Sequence, residues 1–156
     1  MNSNKLSSYI QAIAKPARPV WLVSIIAAVV AAVATELYGL VARAVGIPME
    51  AGGSGADTAS AISVGMFAMA TFIAMIWATI LVVAIARFAR SPATTFLRTA
   101  VVLAVLTLAG PLAAGATATS TKIMLCGAHV LAAFIVIPIL TQRLAHVSGD
   151  RQAVIA

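Results

Sequence analysis

The chain has 156 residues, of which 62% are hydrophobic and only 9% are charged. A soluble domain needs a charged surface of about a quarter of its residues, so this composition excludes a water-soluble globule and predicts an integral membrane protein. The formal net charge of +6 does not indicate nucleic-acid binding. The basic residues flank apolar runs, where they face lipid phosphates and determine topology.

The first half of the chain predicts two spans joined by a loop. Residues 1–19 are polar and basic, and they predict a cytoplasmic segment lying at the membrane surface. The apolar run that follows predicts a span over about 20–45. A loop rich in glycine, 46–60, leads to a second span at about 61–86, with Ser60 as a candidate N-cap.

The second half of the chain also predicts two spans, with shorter connections. A tight basic connection, Arg87–Pro92, leads into a third span at about 92–114, because proline is favoured at the first helical position. A fourth span is predicted at about 121–144, and the polar residues 145–156 form a cytoplasmic tail. Pro111 and Pro138 are expected to kink the third and fourth helices.

The basic residues predict the orientation of these spans. All but Arg43 and Lys122 lie on the side that carries the two termini and the 87–98 connection. The positive-inside rule therefore places both termini in the cytoplasm. We expect an all-α integral membrane four-helix bundle over 20–144, up-down-up-down, multi-pass in the inner (plasma) membrane.

One carboxylate lies inside an otherwise uncharged apolar run. An ionisable group in hydrocarbon costs several kcal/mol unless it finds a partner, so Glu36 indicates a site by default. Counted from the outer ends of the helices, Glu36, His129, Thr71 and Thr107 all lie roughly 12–17 Å below the outer surface. Small residues flank the two ionisable ones at helical spacing. They predict that the first and fourth helices approach closely and pair Glu36 with His129.

Two interpretations of this layer remain open. An imidazole beside a carboxylate can share or relay a proton. Arg43 and Lys122 lie on the same helical stripes nearer the outer surface, where they would form an outer vestibule for an anionic or proton-exchanging ligand. Alternatively, Glu36 only holds helices together through hydrogen bonds. Such bonds between membrane helices average below about 1 kcal/mol, which is compatible with a purely structural role.

The sequence contains no pattern typical of a catalytic or cofactor site. His129 and His146 lie on one helical segment at different depths, which does not suit axial haem ligation. No group of His, Asp and Glu has metal-ligand spacing, and no triad or carboxylate pair is evident. We expect no enzymatic activity, no cofactor and no metal site.

Three segments resemble a known group of proteins. With Glu36-Leu-Tyr-Gly39, the Arg87–Pro92 connection and the segment from His129 to Pro138, the chain is similar to small four-helix bacterial membrane proteins of uncharacterised function. The resemblance covers roughly residues 18–146. It implies an architecture but no activity.

Two functions from different classes remain. The first is a non-enzymatic membrane component, which assembles with itself or with a larger membrane complex within the lipid bilayer. The second is a proton-coupled carrier of a small solute that uses the Glu36–His129 pair at mid-membrane. Nucleic acid is not an expected partner.

Overall fold

The computed structural model describes the backbone of residues 18–155 and the side chains of residues 18–146. The predicted surface segment 1–19 lies, except for its last two residues, outside that part of the chain. The described elements, in chain order, are α1 (Val20–Ala44), β1 (Glu50–Ala51), β2 (Ser60–Ala61), α2 (Met66–Phe88), α3 (Pro92–Thr107), α4 (Ala109–Leu112) and α5 (Thr119–Ile155).

Four segments of the described chain are long and apolar enough to cross a membrane. They are Val20–Ala44, Met66–Phe88, Pro92–Leu112 and Thr119–His146. The third of these combines α3 and α4. The predicted all-α four-helix fold is therefore confirmed, and the chain is a multi-pass membrane protein.

Hydrogen bonds at the two ends of the bundle show the up-down-up-down order. At one end, the amide of Gly115 donates to the carbonyl of Gly53 over 2.8 Å, so the first and third connections lie together. At the other end, Nε of Arg143 donates to the carbonyl of Arg18 over 2.7 Å. We call these the hairpin end and the terminal end.

The packing places α1 and α5 at the centre of the bundle. Helix α1 packs against both α2 and α5, whereas α3 packs mainly against α5 and only slightly against α2. The buried share of each span follows from this arrangement, since it falls from 33% for the α1 span to 6% for the α3–α4 span. Most of the α3–α4 surface is therefore exposed to lipid.

Two apolar clusters form the interior, one toward each end. The terminal cluster contains Ala27, Ala28, Ala31, Met75, Val82, Phe96, Val136, Leu140 and Leu144. The hairpin cluster contains Ala42, Ile62, Phe67, Met124 and Ala128. Three alanines of α1 belong to the terminal cluster. Close helix approach across such small residues provides the packing that hydrophobic drive cannot supply in lipid.

The second span begins later than the sequence predicts, at Met66 rather than residue 61. Strand β2 pairs with β1 in antiparallel register, with Glu50 opposite Ala61. The amide of Ile62 then donates to the carbonyl of Met49 over 2.7 Å. These backbone groups are used in the hairpin and are not available to a helix. Ser60 is consequently a strand residue and not an N-cap.

The third span is interrupted where the sequence predicts a kink. Helix α3 ends at Thr107, and the short α4 follows after Leu108. Pro111 has no amide hydrogen to donate to the carbonyl of Thr107, and its ring occupies the space of that bond. By contrast, Pro138 lies inside α5, which continues through the predicted tail to Ile155.

Substitution at Gly39 tests the contact between α1 and α2. A Cβ at Gly39 would lie 2.6 Å from the Phe67 ring, whereas a Cβ at Gly110 would meet no atom within 4 Å. We expect Gly39→Val to lower the free energy of unfolding by about 1–3 kcal/mol through overpacking. Gly110→Ala, the control, should change it by less than about 1 kcal/mol. Unfolding in mixed micelles followed by circular dichroism measures both, and equal stability of the two variants would contradict the packing.

Candidate functional site

The Glu36 side chain binds the N-terminus of α2. Its Oε1 accepts a hydrogen bond from the amide of Gly65 over 2.7 Å, and its Oε2 accepts one from the amide of Ala68 over 3.1 Å. The first amides of a helix have no partner within the helix, and the same end carries the positive end of the helix dipole. Glu36 therefore acts as a side-chain cap supplied by a neighbouring helix.

The backbone around Gly65 and Gly39 allows this contact. Gly65 precedes α2 with φ +91°, a left-handed conformation that glycine adopts without a Cβ penalty. One turn after Glu36, Gly39 lies against the Phe67 ring. Since Gly39 faces Phe67, the start of α2 lies opposite Leu40, about one turn before α1 ends. This offset brings the free amides of α2 to within reach of Glu36.

A pair of threonines forms the next contact between the same helices. Oγ1 of Thr35 lies 2.9 Å from Oγ1 of Thr71, and Thr71 also donates to the carbonyl of Phe67 over 2.8 Å. Thr35 is almost fully buried, at 2% exposure. The predicted polar residue Thr71 thus joins α2 to α1 through Thr35.

His129 has a different partner, on α3. Its Nε2 lies 2.7 Å from Oγ1 of Thr107, which also lies 2.7 Å from the carbonyl of Leu103. Because a carbonyl only accepts, the hydroxyl proton of Thr107 is best placed toward Leu103. The imidazole Nε2–H then donates to Thr107. His129 and Thr107, both predicted site residues, are thus brought together.

The predicted pairing of Glu36 with His129 is wrong. Glu36 lines a groove of about 250 Å³ between α1 and α2, together with Ala68 and Phe72. His129 lines a groove of about 620 Å³ between α3 and α5. The depth count gives how far each residue lies along its helix, but it does not give the direction in which the residue faces. These two face different neighbours.

The two predicted vestibule residues lie at the hairpin end and bind backbone carbonyls. Nη2 of Arg43 donates to the carbonyl of Ile62 over 2.7 Å, while its buried Nε has no hydrogen-bond partner within the described residues. Nζ of Lys122 lies 3.4 Å from the carbonyl of Leu112, at the end of α4. Each cation therefore holds a connection, and the geometry gives them no shared contact.

The chain was compared with known protein families. One family model, described as a family of unknown function (DUF6069), matches residues 15–146. The chain belongs to the DUF6069 family. The match includes all four spans and the segments 36–39, 87–92 and 129–138, on which the resemblance to uncharacterised membrane proteins rests. No curated protein and no solved structure matches the chain.

Membership of DUF6069 assigns no chemistry to the polar residues, so their geometry is the available guide. Within residues 18–146, no group of three or more His, Cys, Asp or Glu side chains is arranged to hold a metal ion. The polar contacts described above join α1 to α2 and α3 to α5. Sequence reasoning missed the helix cap, although Gly65, immediately before a long apolar run, is a signal for a later helix start.

Substitutions at Glu36 test the cap. A glutamine has one acceptor oxygen, so Glu36→Gln satisfies only one of the two amides. Its NH₂ group then faces the other amide, and two donors meet without an acceptor. We expect a loss of about 1.5–3 kcal/mol of unfolding free energy, as for a hydrogen bond to a charged group. Glu50→Gln, at an exposed carboxylate of β1, is the control and should stay within about 0.5 kcal/mol. Wild-type stability for Glu36→Gln would refute the cap.

Double-mutant cycles test which residues interact. Thr107→Val and His129→Leu remove the two sides of one hydrogen bond, so their effects on unfolding should couple by about 0.5–1 kcal/mol. Glu36→Gln and His129→Leu affect separate grooves and should be additive within about 0.5 kcal/mol. Coupling between Glu36 and His129 larger than that between Thr107 and His129 would restore the rejected pair.

Proposed function

We propose that this DUF6069 protein is a non-enzymatic structural or assembly component of the bacterial inner membrane, which works in contact with copies of itself or with a larger membrane complex. The observation that carries the proposal is the use of Glu36. Both of its oxygens accept hydrogen bonds from the amides that begin α2. A carboxylate occupied in this way stabilises the fold, and a carrier would need it free to exchange protons or bind a solute.

The polar residues of the interior support the same proposal. Among residues 18–146, the buried polar side chains are Ser24, Thr35 and Thr121. Each hydroxyl lies within hydrogen-bond distance of a backbone carbonyl, namely those of Val20, Ala32 and Pro48. The hydroxyls of Ser24 and Thr35 are thus satisfied within their own helix. The hydroxyl of Thr121 is satisfied by the loop that follows α1. None of these three buried side chains is ionisable, so none of them would carry a proton or bind an anion.

The outer surface of the bundle supports an assembly role. Large apolar side chains remain exposed on every span, including Trp77 at 70% and Phe134 at 80%. Lipid covers such residues, and helices of other membrane proteins can cover them too. The small enclosed volume of four helices also leaves little room for a solute pathway within one copy.

Proton flux in liposomes tests the proposal against the carrier alternative. Purified protein reconstituted with an internal pH-sensitive dye should show the same proton flux as empty liposomes, with or without a panel of small solutes. The Glu36→Gln variant should behave identically. Solute-driven flux that Glu36→Gln abolishes, in protein that remains folded, would establish the carrier instead.

The assembly part of the proposal needs its own measurement. Membrane patches extracted into polymer nanodiscs keep neighbouring proteins together, and a fluorescent tag on the chain then reports its copy number by stepwise photobleaching. We expect two or more steps, or one step in a particle that contains other protein. Single steps in particles that hold no other protein would count against assembly.

A further inference from the structure

The larger groove, between α3 and α5, has the shape of a binding site for a long apolar chain. Its volume is about 620 Å³, within the range of small-molecule sites, and its walls are mainly aliphatic. Val101, Ala104, Ala133 and Ile137 line its middle part. Lining residues along it are exposed, including Leu97 at 42%, Val101 at 45% and Phe134 at 80%, so the groove is open to the lipid.

The dimensions of the groove decide between a hydrocarbon chain and a helix. It extends along α5 from His129 to Gln142, which is about 20 Å at 1.5 Å per residue. The mean cross-section is then about 30 Å². Carbon atoms pack about 4 Å apart, so one hydrocarbon chain fits this section. A helix with its side chains is about 10–12 Å wide, so only its side chains, and not its backbone, would enter.

The position of the groove also fits a lipid. Gln142 lies near the terminal end of the bundle, and His129 lies near its middle. Half of the hydrocarbon core is about 15 Å thick. The groove therefore runs from the lipid headgroups at the terminal end to slightly beyond the bilayer centre. At this inner end of the groove, the imidazole of His129 is hydrogen-bonded to Thr107.

Cationic and polar residues lie where the headgroup of such a lipid would be. Arg98 is exposed and stands one turn from Val101 toward the terminal end, on the same stripe of α3. His146 is exposed and stands one turn beyond Gln142 on α5. The exposed acids Glu50 and Asp57 lie at the opposite, hairpin end. Among the side chains that the structure describes, those at the terminal end of the groove therefore suit a phosphate.

We propose that the groove binds one acyl chain of an anionic phospholipid from the leaflet at the terminal end, with the lipid phosphate beside Arg98. The ligand is one lipid that stays with the protein, in contrast to the exchanging lipids around the rest of the bundle. It fills the space between α3 and α5, because these two helices contact each other directly over only part of their length.

Native mass spectrometry of the purified full chain tests the site with phosphatidylglycerol and phosphatidylcholine as probes. The wild type should retain one phosphatidylglycerol. Ala104→Phe fills the groove and should lose it, whereas Ile76→Phe adds the same bulk at an exposed position of α2 and should keep it. Arg98→Gln should reduce the preference for phosphatidylglycerol about five-fold, the usual effect of one basic residue near anionic lipid. Arg87→Gln, which removes the same charge from the end of α2, a helix that does not line the groove, should not.

A measurement on the unaltered chain keeps the proposal testable if Ala104→Phe fails to fold. Phosphatidylglycerol with a photoreactive acyl chain should cross-link preferentially to the segments 97–108 and 129–142. Uniform labelling of all four spans, or equal retention of the two lipids, would overturn the proposal. So would an Ala104→Phe variant that keeps its lipid but forms smaller assemblies, because the groove would then hold a helix of another copy.

Discussion

The N-terminus of α2 lies beside α1, about one turn before α1 ends, and its free amides need acceptors at this edge of the apolar span. In water such amides bind solvent, but in hydrocarbon each unsatisfied group costs several kcal/mol. Glu36 supplies two acceptors from the neighbouring helix, to the amides of Gly65 and Ala68. The carboxylate and the helix end each provide the partner that the other requires. The close approach of α1 and α2 follows from that requirement.

The close approach of α1 to its two neighbouring helices depends on two glycines, one on each side of α1. Gly39 admits the Phe67 ring on the α2 side of α1, and Gly127 of α5 admits the Tyr38 hydroxyl on the other. Tyr38 and Gly39 are adjacent in the sequence, so one turn of α1 makes both contacts. A side chain at either glycine would push two helices apart. One turn of α1, immediately after the residue that caps α2, therefore contacts the helices on both sides of α1.

Composition and apolar run length were enough to predict the membrane class and the four-helix fold, because lipid leaves few alternatives to a helix for a span. The start of α2 was predicted too early, because pairing between residues 50–51 and 60–61 is a non-local contact. Counting residues gave similar depths for Glu36 and His129, but depth carries no information about rotation around the helix axis. The correct partners, Gly65 and Thr107, lie on helices whose order around the bundle the sequence did not reveal.

The peripheral position of α3 has a consequence for how the native state fluctuates. Proteins open locally in cooperative units, and the units with few buried contacts open at the lowest free energy. Only 6% of the α3–α4 span is buried, and its contact with α2 is slight. Detachment of this unit would break the Thr107–His129 bond but leave the Glu36 cap and the Tyr38–Gly127 contact intact. Hydrogen exchange of amides in α3 should therefore proceed through partial opening, while the amides of α1 exchange only through global unfolding.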